Sequence, residues 1–251
     1  MQSRIETQRL RKCREGAVAL LLLAALVAVG AADAQEQATQ TTPPQPAQMT
    51  APQPTVPEVF TLMGQFVRMA YNNEGFATMG YRLAQEQVGK EWILLQVGVT
   101  LRKPTENYKL KREHLWITTP DGKTIPLATQ NEYMAGGAEV RSLTQRMKAQ
   151  KDSINYFPLE ADQPCALQYF ADPGTSRQLA WDETELSWHR ACAGRLFFRI
   201  PDKVQVGQHW LHIKFAGSEL QVPFRILTKE EREQTEKTWQ DLKKQHEASY
   251  E

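Results

Sequence analysis

Ser187, His189 and Asp182 fall within eight residues of one another, and a serine, a histidine and a carboxylate are the parts of a nucleophilic triad. In a working triad the imidazole takes the hydroxyl proton and the carboxylate orients the imidazole, which calls for members drawn from separate elements. No G-x-S-x-G elbow surrounds Ser187, and Gly217-Ser218-Glu219 does not form one. His209 and His212 are three apart on an expected strand, so they leave opposite faces and cannot chelate one ion together. His189 and Cys192 would need a thiolate, which a disulfide removes. The sequence holds neither a Gly-rich phosphate loop nor a dinucleotide fingerprint. The expectation is a protein that is not an enzyme, with no metal and no cofactor.

Binding chemistry is better represented. Residues 153–191 are irregular and aromatic, with Tyr156, Phe157, Tyr169, Phe170, Trp181 and Trp188 around an Asp172-Pro173-Gly174 turn. Tyr169, Phe170, Trp181 and Trp188 are the candidate ligand or partner residues, because rings on a tethered loop can stack on sugars or anchor a protein. The competing reading is that they fill a small core beneath the loop, where large aromatics usually lie. Cys165 and Cys192 bracket most of this stretch and form an even pair, since the third cysteine, Cys13, lies near the N-terminus. In an oxidising compartment such a pair is expected to form a disulfide.

The N-terminus supplies that compartment. Arg4, Arg9, Arg11, Lys12 and Arg14 stand against Glu6 and Glu15, and an uncharged run, GAVALLLLAALVAVGAA, fills residues 16–32. Ala32-Asp33-Ala34 follows as a small-x-small site, which completes a secretory signal peptide over residues 1–34. Retained instead of cleaved, residues 16–32 would anchor the chain with the same domain outside the cytoplasm. Cys13 precedes the apolar run, so no lipid-attachment motif is present. The whole chain carries a net charge of +1, and loss of residues 1–34 leaves it near −1. Without a basic excess it lacks the electrostatic footprint of a nucleic-acid binder. Residues 35–57 hold six prolines and few large apolar side chains, the composition of a disordered Pro/Gln-rich tether.

The folded part is expected from residue 58. Residues 59–70 (VFTLMGQFVRMA) and 75–84 (GFATMGYRLA) read as a hairpin around Asn72-Asn73-Glu74-Gly75, although the first run could open as a short helix. Trp92–Leu101 (WILLQVGVTL) is apolar enough for a central strand covered on both faces. Residues 103–111 are polar and read as a crossing between sheets. Leu115-Trp116-Ile117-Thr118-Thr119 resumes a strand, and Asp121-Gly122 predicts a hairpin turn because glycine supplies positive φ. Residues 124–127 return along an edge marked by Pro126.

Taken with Gly194-Arg195-Leu196-Phe197-Phe198-Arg199-Ile200-Pro201 and the strand at residues 209–215, the G-K-x-W-I-L-L-x-V-x-V-T-L and L-W-I-T-T-P-D-G-K-T-I-P-L stretches resemble telokin-like immunoglobulin-fold modules of unknown function. Such modules are carried on secreted and lipid-anchored bacterial proteins. The resemblance is one of pattern and covers somewhat under half of the mature chain. It implies a β-sandwich outside the cytoplasm and brings no catalytic residues. The chain departs from it at residues 130–192, which are longer than such modules have.

Within that insertion residues 138–150 predict a short helix with Val140, Leu143 and Met147 on one face. Arg141, Arg146, Lys148 and Lys151 form a basic opposite face, read as solvated. Residues 208–215 and 219–227 alternate around Ala216-Gly217-Ser218, with Pro223 marking the second as an edge strand. Thr228-Lys229-Glu230-Glu231 is a capping box opening a terminal helix supported by Glu233 and Lys237 at i, i+4.

The expected architecture is mostly β: an immunoglobulin-like antiparallel β-sandwich over residues 58–228, with a short inserted helix and a polar C-terminal helix over residues 229–251. The expected function is a secreted or periplasmic, non-catalytic binding module of the cell envelope, with an envelope protein as partner. A glycan or small ligand held by the aromatic, disulfide-tied loop is the alternative. Membrane contact is expected only through residues 16–32, if they are kept.

Overall fold

A computed structural model describes residues 58–62, 66–172 and 179–248, all within one compact unit, Thr50–Glu251. The signal segment and the tether lie outside the described residues. Among the described residues no helix is long and apolar enough to cross a membrane.

The first expected strand divides into two. Strands β1 (Glu58–Leu62) and β2 (Val67–Tyr71) pair antiparallel, so that Val59 and Ala70, the two ends of the run read as continuous, face each other. The run does not open as a helix. Strand β3 (Gly75–Gly80) follows through a tight turn in which Asn72 Oδ1 accepts the N–H groups of Glu74 and Gly75, both at 2.9 Å. The chain leaves the sheet at Gly80 and makes a 3₁₀ turn over Leu83–Glu86, where an extended run was expected.

Strand β4 is Trp92–Leu101, as its pattern predicts, and every residue of it is buried. The supposed polar crossing contains a short strand, β5 (Tyr108–Lys111). Strands β6 (Leu115–Thr118) and β7 (Thr124–Pro126) form the expected hairpin, with Gly122 at φ +81° in its turn. The insertion holds two helices where one was expected. Helix α1 (Gln130–Ala135) opens on a capping box: Thr129 Oγ1 accepts Glu132 N–H at 3.1 Å, and Glu132 Oε2 accepts Thr129 N–H at 2.8 Å. Helix α2 (Gly137–Ala149) buries Val140 and Leu143 and half-buries Met147, as predicted.

Strands β8 (Gln163–Leu167), β9 (Glu183–Leu186), β10 (Arg190–Arg199), β11 (Gly207–Lys214) and β12 (Glu219–Ile226) complete the sheets. Helix α3 (Lys229–Ala248) then starts on the predicted box, with Thr228 Oγ1 accepting Glu231 N–H at 3.1 Å and Glu231 Oε2 accepting Thr228 N–H at 2.8 Å. Its first-turn ion pair is Lys229–Glu233, at 4.0 Å.

One sheet has the order β1-β2-β3-β4-β10-β8, a second β12-β11-β6-β7, and β5 and β9 form a two-stranded third. Pro223 and Pro126 lie in the edge strands of the second sheet, where their missing N–H groups leave no ladder bond unmade. One pair departs from the antiparallel expectation: β8 runs parallel to β10. A single hydrophobic cluster joins residues of both larger sheets with Val140, Leu143, Tyr169 and Phe170 of the insertion.

The parallel register sets Cys165 directly opposite Cys192, and the two form a disulfide. Titration of the unreduced full chain in denaturant should find one reactive thiol, Cys13, and three after reduction. Replacing both bonded cysteines by serine should lower stability by about 3–4 kcal/mol for the loop they close. Three thiols before reduction would overturn the bridge.

Candidate functional site

The structure separates the four aromatic candidates. Tyr169 and Phe170 are buried. Phe170 sits against Tyr133 and Phe197, with ring centroids at 4.9 and 5.2 Å, and the Tyr169 hydroxyl donates to the Leu110 carbonyl at 2.8 Å. Burial pushes that hydroxyl far above the ordinary phenol range. The guanidinium of Arg112 holds the segment in place. It donates to the carbonyls of Ala128 (2.6 Å) and Tyr169, and lies 5.1 Å from the Phe170 ring centre. These two rings therefore serve the core reading. Trp181 is 41 % exposed, and its backbone N–H donates to the Gln168 carbonyl at 2.7 Å.

Trp188, half-buried and packed against the core, lines a cleft. The cleft measures about 280 Å³, and its other walls are Tyr71, Phe76, Leu101, Arg102, Lys103, Pro158 and Glu160. Four pieces of chain meet there, one of them the segment that carries Pro158 and Glu160. The Asn72–Gly75 turn places Tyr71 and Phe76 as a cross-strand pair, their rings 6.2 Å apart and nearly parallel. Strand β4 ends at Leu101, and the next two residues supply the cations. The β9–β10 turn brings Trp188, whose position is fixed by its neighbour: the Ser187 carbonyl accepts from Thr100 Oγ1 at 3.1 Å and from Leu101 N–H at 3.4 Å. Lys103 Nζ lies 4.9 Å from the Trp188 ring centre, and the Arg102 guanidinium 4.9 Å from that of Tyr71. The arrangement offers an apolar floor ringed by two cations and one carboxylate, Glu160.

The triad residues take other parts. Ser187 is buried, with Oγ 3.4 Å from His189 Nε2. Asp182 stands at the opposite end of β9, about 16 Å away along an extended chain, and its carbonyl accepts Arg112 N–H. His209 and His212 leave opposite faces of β11, as their spacing predicts. His212 donates from Nδ1 to Glu219 at 2.6 Å, accepts from Thr118 Oγ1 at 2.8 Å, and stacks on Trp116. Among the described residues no cluster of three or more His, Cys, Asp or Glu side chains could hold a metal ion.

Comparison of the chain with family models, with curated proteins and with solved structures returns no match.

The sequence reading missed Tyr71, Phe76, Arg102 and Lys103. A signal for the first two exists, since a turn at Asn72–Gly75 necessarily sets Tyr71 opposite Phe76. Nothing local ties that hairpin end to Trp188.

His209 makes the scaffold sensitive to acid. Its Nδ1 donates to the Gly207 carbonyl at 3.1 Å, so the proton sits there, and its Nε2 is buried without a partner. Burial holds its pKa below the ordinary value, and the same cause lowers that of His114. The unfolded chain takes up these protons near pH 6.5, the folded chain only at lower pH. Below that point the unfolded state holds more protons, and stability falls as pH falls. Thermal melts from about pH 7 to about pH 5 should show a loss of Tm that His209→Leu diminishes. Identical pH profiles would remove His209 from the account.

Proposed function

We propose that the protein is an exported, non-catalytic binding module of a bacterial cell envelope, built as an immunoglobulin-like sandwich, which takes a protein partner at the Trp188 cleft. The sandwich reading is supported by two sheets around one core and by a chain that passes between them after β4, β7 and β10. Export is supported by the disulfide, a bond that persists in oxidising compartments.

The observation that carries the partner reading is the cationic cover on the cleft's rings. Tryptophan, tyrosine and arginine around a small apolar hollow are the residue types that dominate binding energy at protein interfaces. A hollow of about 280 Å³ lies just below the range of small-molecule sites, and it suits one apolar side chain with a carboxylate beside it to meet Arg102 and Lys103. A stacked sugar needs bare ring faces, and here Lys103 covers Trp188 and Arg102 covers Tyr71.

The chain from Gln35 onward, immobilised and exposed to an envelope extract, should retain a partner whose affinity falls about thirtyfold in Trp188→Ala. Arg102→Ala should weaken it further at low salt than at high salt. If a glycan panel shifts the tryptophan fluorescence and no captured protein depends on Trp188, the partner reading loses to the glycan one.

A further inference from the structure

Gln96 stands on β4 opposite Arg195 on β10 and Gly80 on β3, so its side chain leaves the sheet on the face that α2 covers. It is 4 % exposed, and its Nε2 has no hydrogen-bond partner. Burial strips such a donor of water without compensation until an acceptor arrives. The same residue lines a cavity of about 420 Å³ whose wall includes Met147, Lys148, Lys151, Gly194 and Arg195. Every charged side chain on that wall is a cation.

Nearby carboxylates are engaged elsewhere or shared. Asp172 meets Arg195 at 3.1 Å, and Asp152, which packs over Gly80, is bound to Arg82 at 3.0 Å. Of the basic face of α2 and the residues after it, Arg146 pairs with Glu86 at 2.9 Å. Among the described residues no carboxylate pairs with Lys148 or Lys151.

We propose that this cavity binds the phosphate group of a small phosphorylated molecule. Two ammonium groups, a guanidinium and an amide N–H all donate, and a phosphate monoester offers a dianion with three acceptor oxygens. One shared carboxylate leaves the wall positive enough for two negative charges. The volume lies within the range of small-molecule sites, so the cavity, whose wall also carries Met147, Ile154 and Ala193, has room for the body that bears the phosphate. The Gln96 amide lies beneath that wall with no acceptor of its own, so it is the donor that a phosphate oxygen would satisfy. The site is separate from the Trp188 cleft and does not depend on it.

Calorimetric titration of the full chain with glucose 6-phosphate and with glucose separates phosphate from sugar recognition. Vesicles of phosphatidylcholine with and without phosphatidic acid separate a free phosphate from a lipid headgroup. Glucose 6-phosphate should bind saturably and glucose should not, and the double change Lys148→Gln, Lys151→Gln should weaken binding about tenfold. Gln96→Leu keeps the volume and removes the unpaired donor. The Tm without ligand should hold or rise while affinity falls about tenfold. Where that variant fails to fold, the lysine pair decides. Binding confined to phosphatidic acid vesicles and lost with the lysines keeps the chemistry and assigns it to a headgroup. No binding by either phosphate source, equal binding of glucose, or binding indifferent to the lysines overturns the proposal.

Discussion

Strand β4 has no face toward water, and the rest of the structure is shaped by that. Ile93, Leu95, Val97, Val99 and Leu101 point to the second sheet, while Trp92, Leu94, Gln96, Gly98 and Thr100 must be covered by something else. The turn at Ser187 covers Thr100, and part of the remaining cover is supplied by the insertion at residues 130–158. Its approach is close enough to require glycine beneath it: a Cβ at Gly98 would fall 2.4 Å from the Phe157 ring, and one at Gly80 would fall 2.5 Å from Asp152. Polar atoms on the covered face then need partners. Thr78 Oγ1 finds the Ile154 carbonyl at 2.8 Å, and Thr100 finds that of Ser187. Gln96 Nε2 finds none. The cavity beside it sets the cations Lys148, Lys151 and Arg195 among the apolar side chains of Met147, Ile154 and Ala193.

The disulfide acts on the same sheet from its edge. By fixing β8 parallel to β10 it holds the start of a loop whose rings are then sorted by position. Tyr169 and Phe170 turn inward onto Arg112, Tyr133 and Phe197. Asp172 closes this arrangement, accepting from the Tyr133 hydroxyl at 2.6 Å and from Arg195. Burial and that carboxylate push the Tyr133 hydroxyl up to about 12, so it remains a donor at any physiological pH. Of the loop's two tryptophans, Trp181 is exposed and Trp188 is half-buried against the core.

What was legible in the sequence follows from range. The bounds of β4, the Asp121-Gly122 turn, the edge prolines and the Thr228 capping box are local, because each depends on residues within one turn or on an unbroken period. The split between β1 and β2 was missed although Gly64 stands inside the run, since apolar residues on both sides masked the break. Strand β5 was missed because its charged sequence pairs with β9 more than seventy residues on. Helix α1 was missed although Thr129 and Glu132 carry a capping box, since it is too short to show a period. For the cleft, Trp188 could be named as a candidate from its type and its place in a tethered loop. Its companions come from β2, β3 and the end of β4, and no spacing rule joins them.

That distance bears on how the cleft would work. A tryptophan on a loop normally loses rotamer and backbone freedom when it binds, which subtracts from affinity. Here the two bonds to the Ser187 carbonyl fasten the residue before Trp188 to the end of β4, a strand buried along its whole length. Leu101, buried in that strand, is also part of the cleft wall. Lys103, two residues beyond that strand, packs on the indole, so the turn that carries Trp188 meets the end of β4 through both contacts. Part of the ordering cost that a ligand would otherwise meet is in this way met during folding. Core and cleft are in this sense one construction: the strand that demands cover on both faces is also the one to which the half-buried indole, itself packed against the core, is fastened.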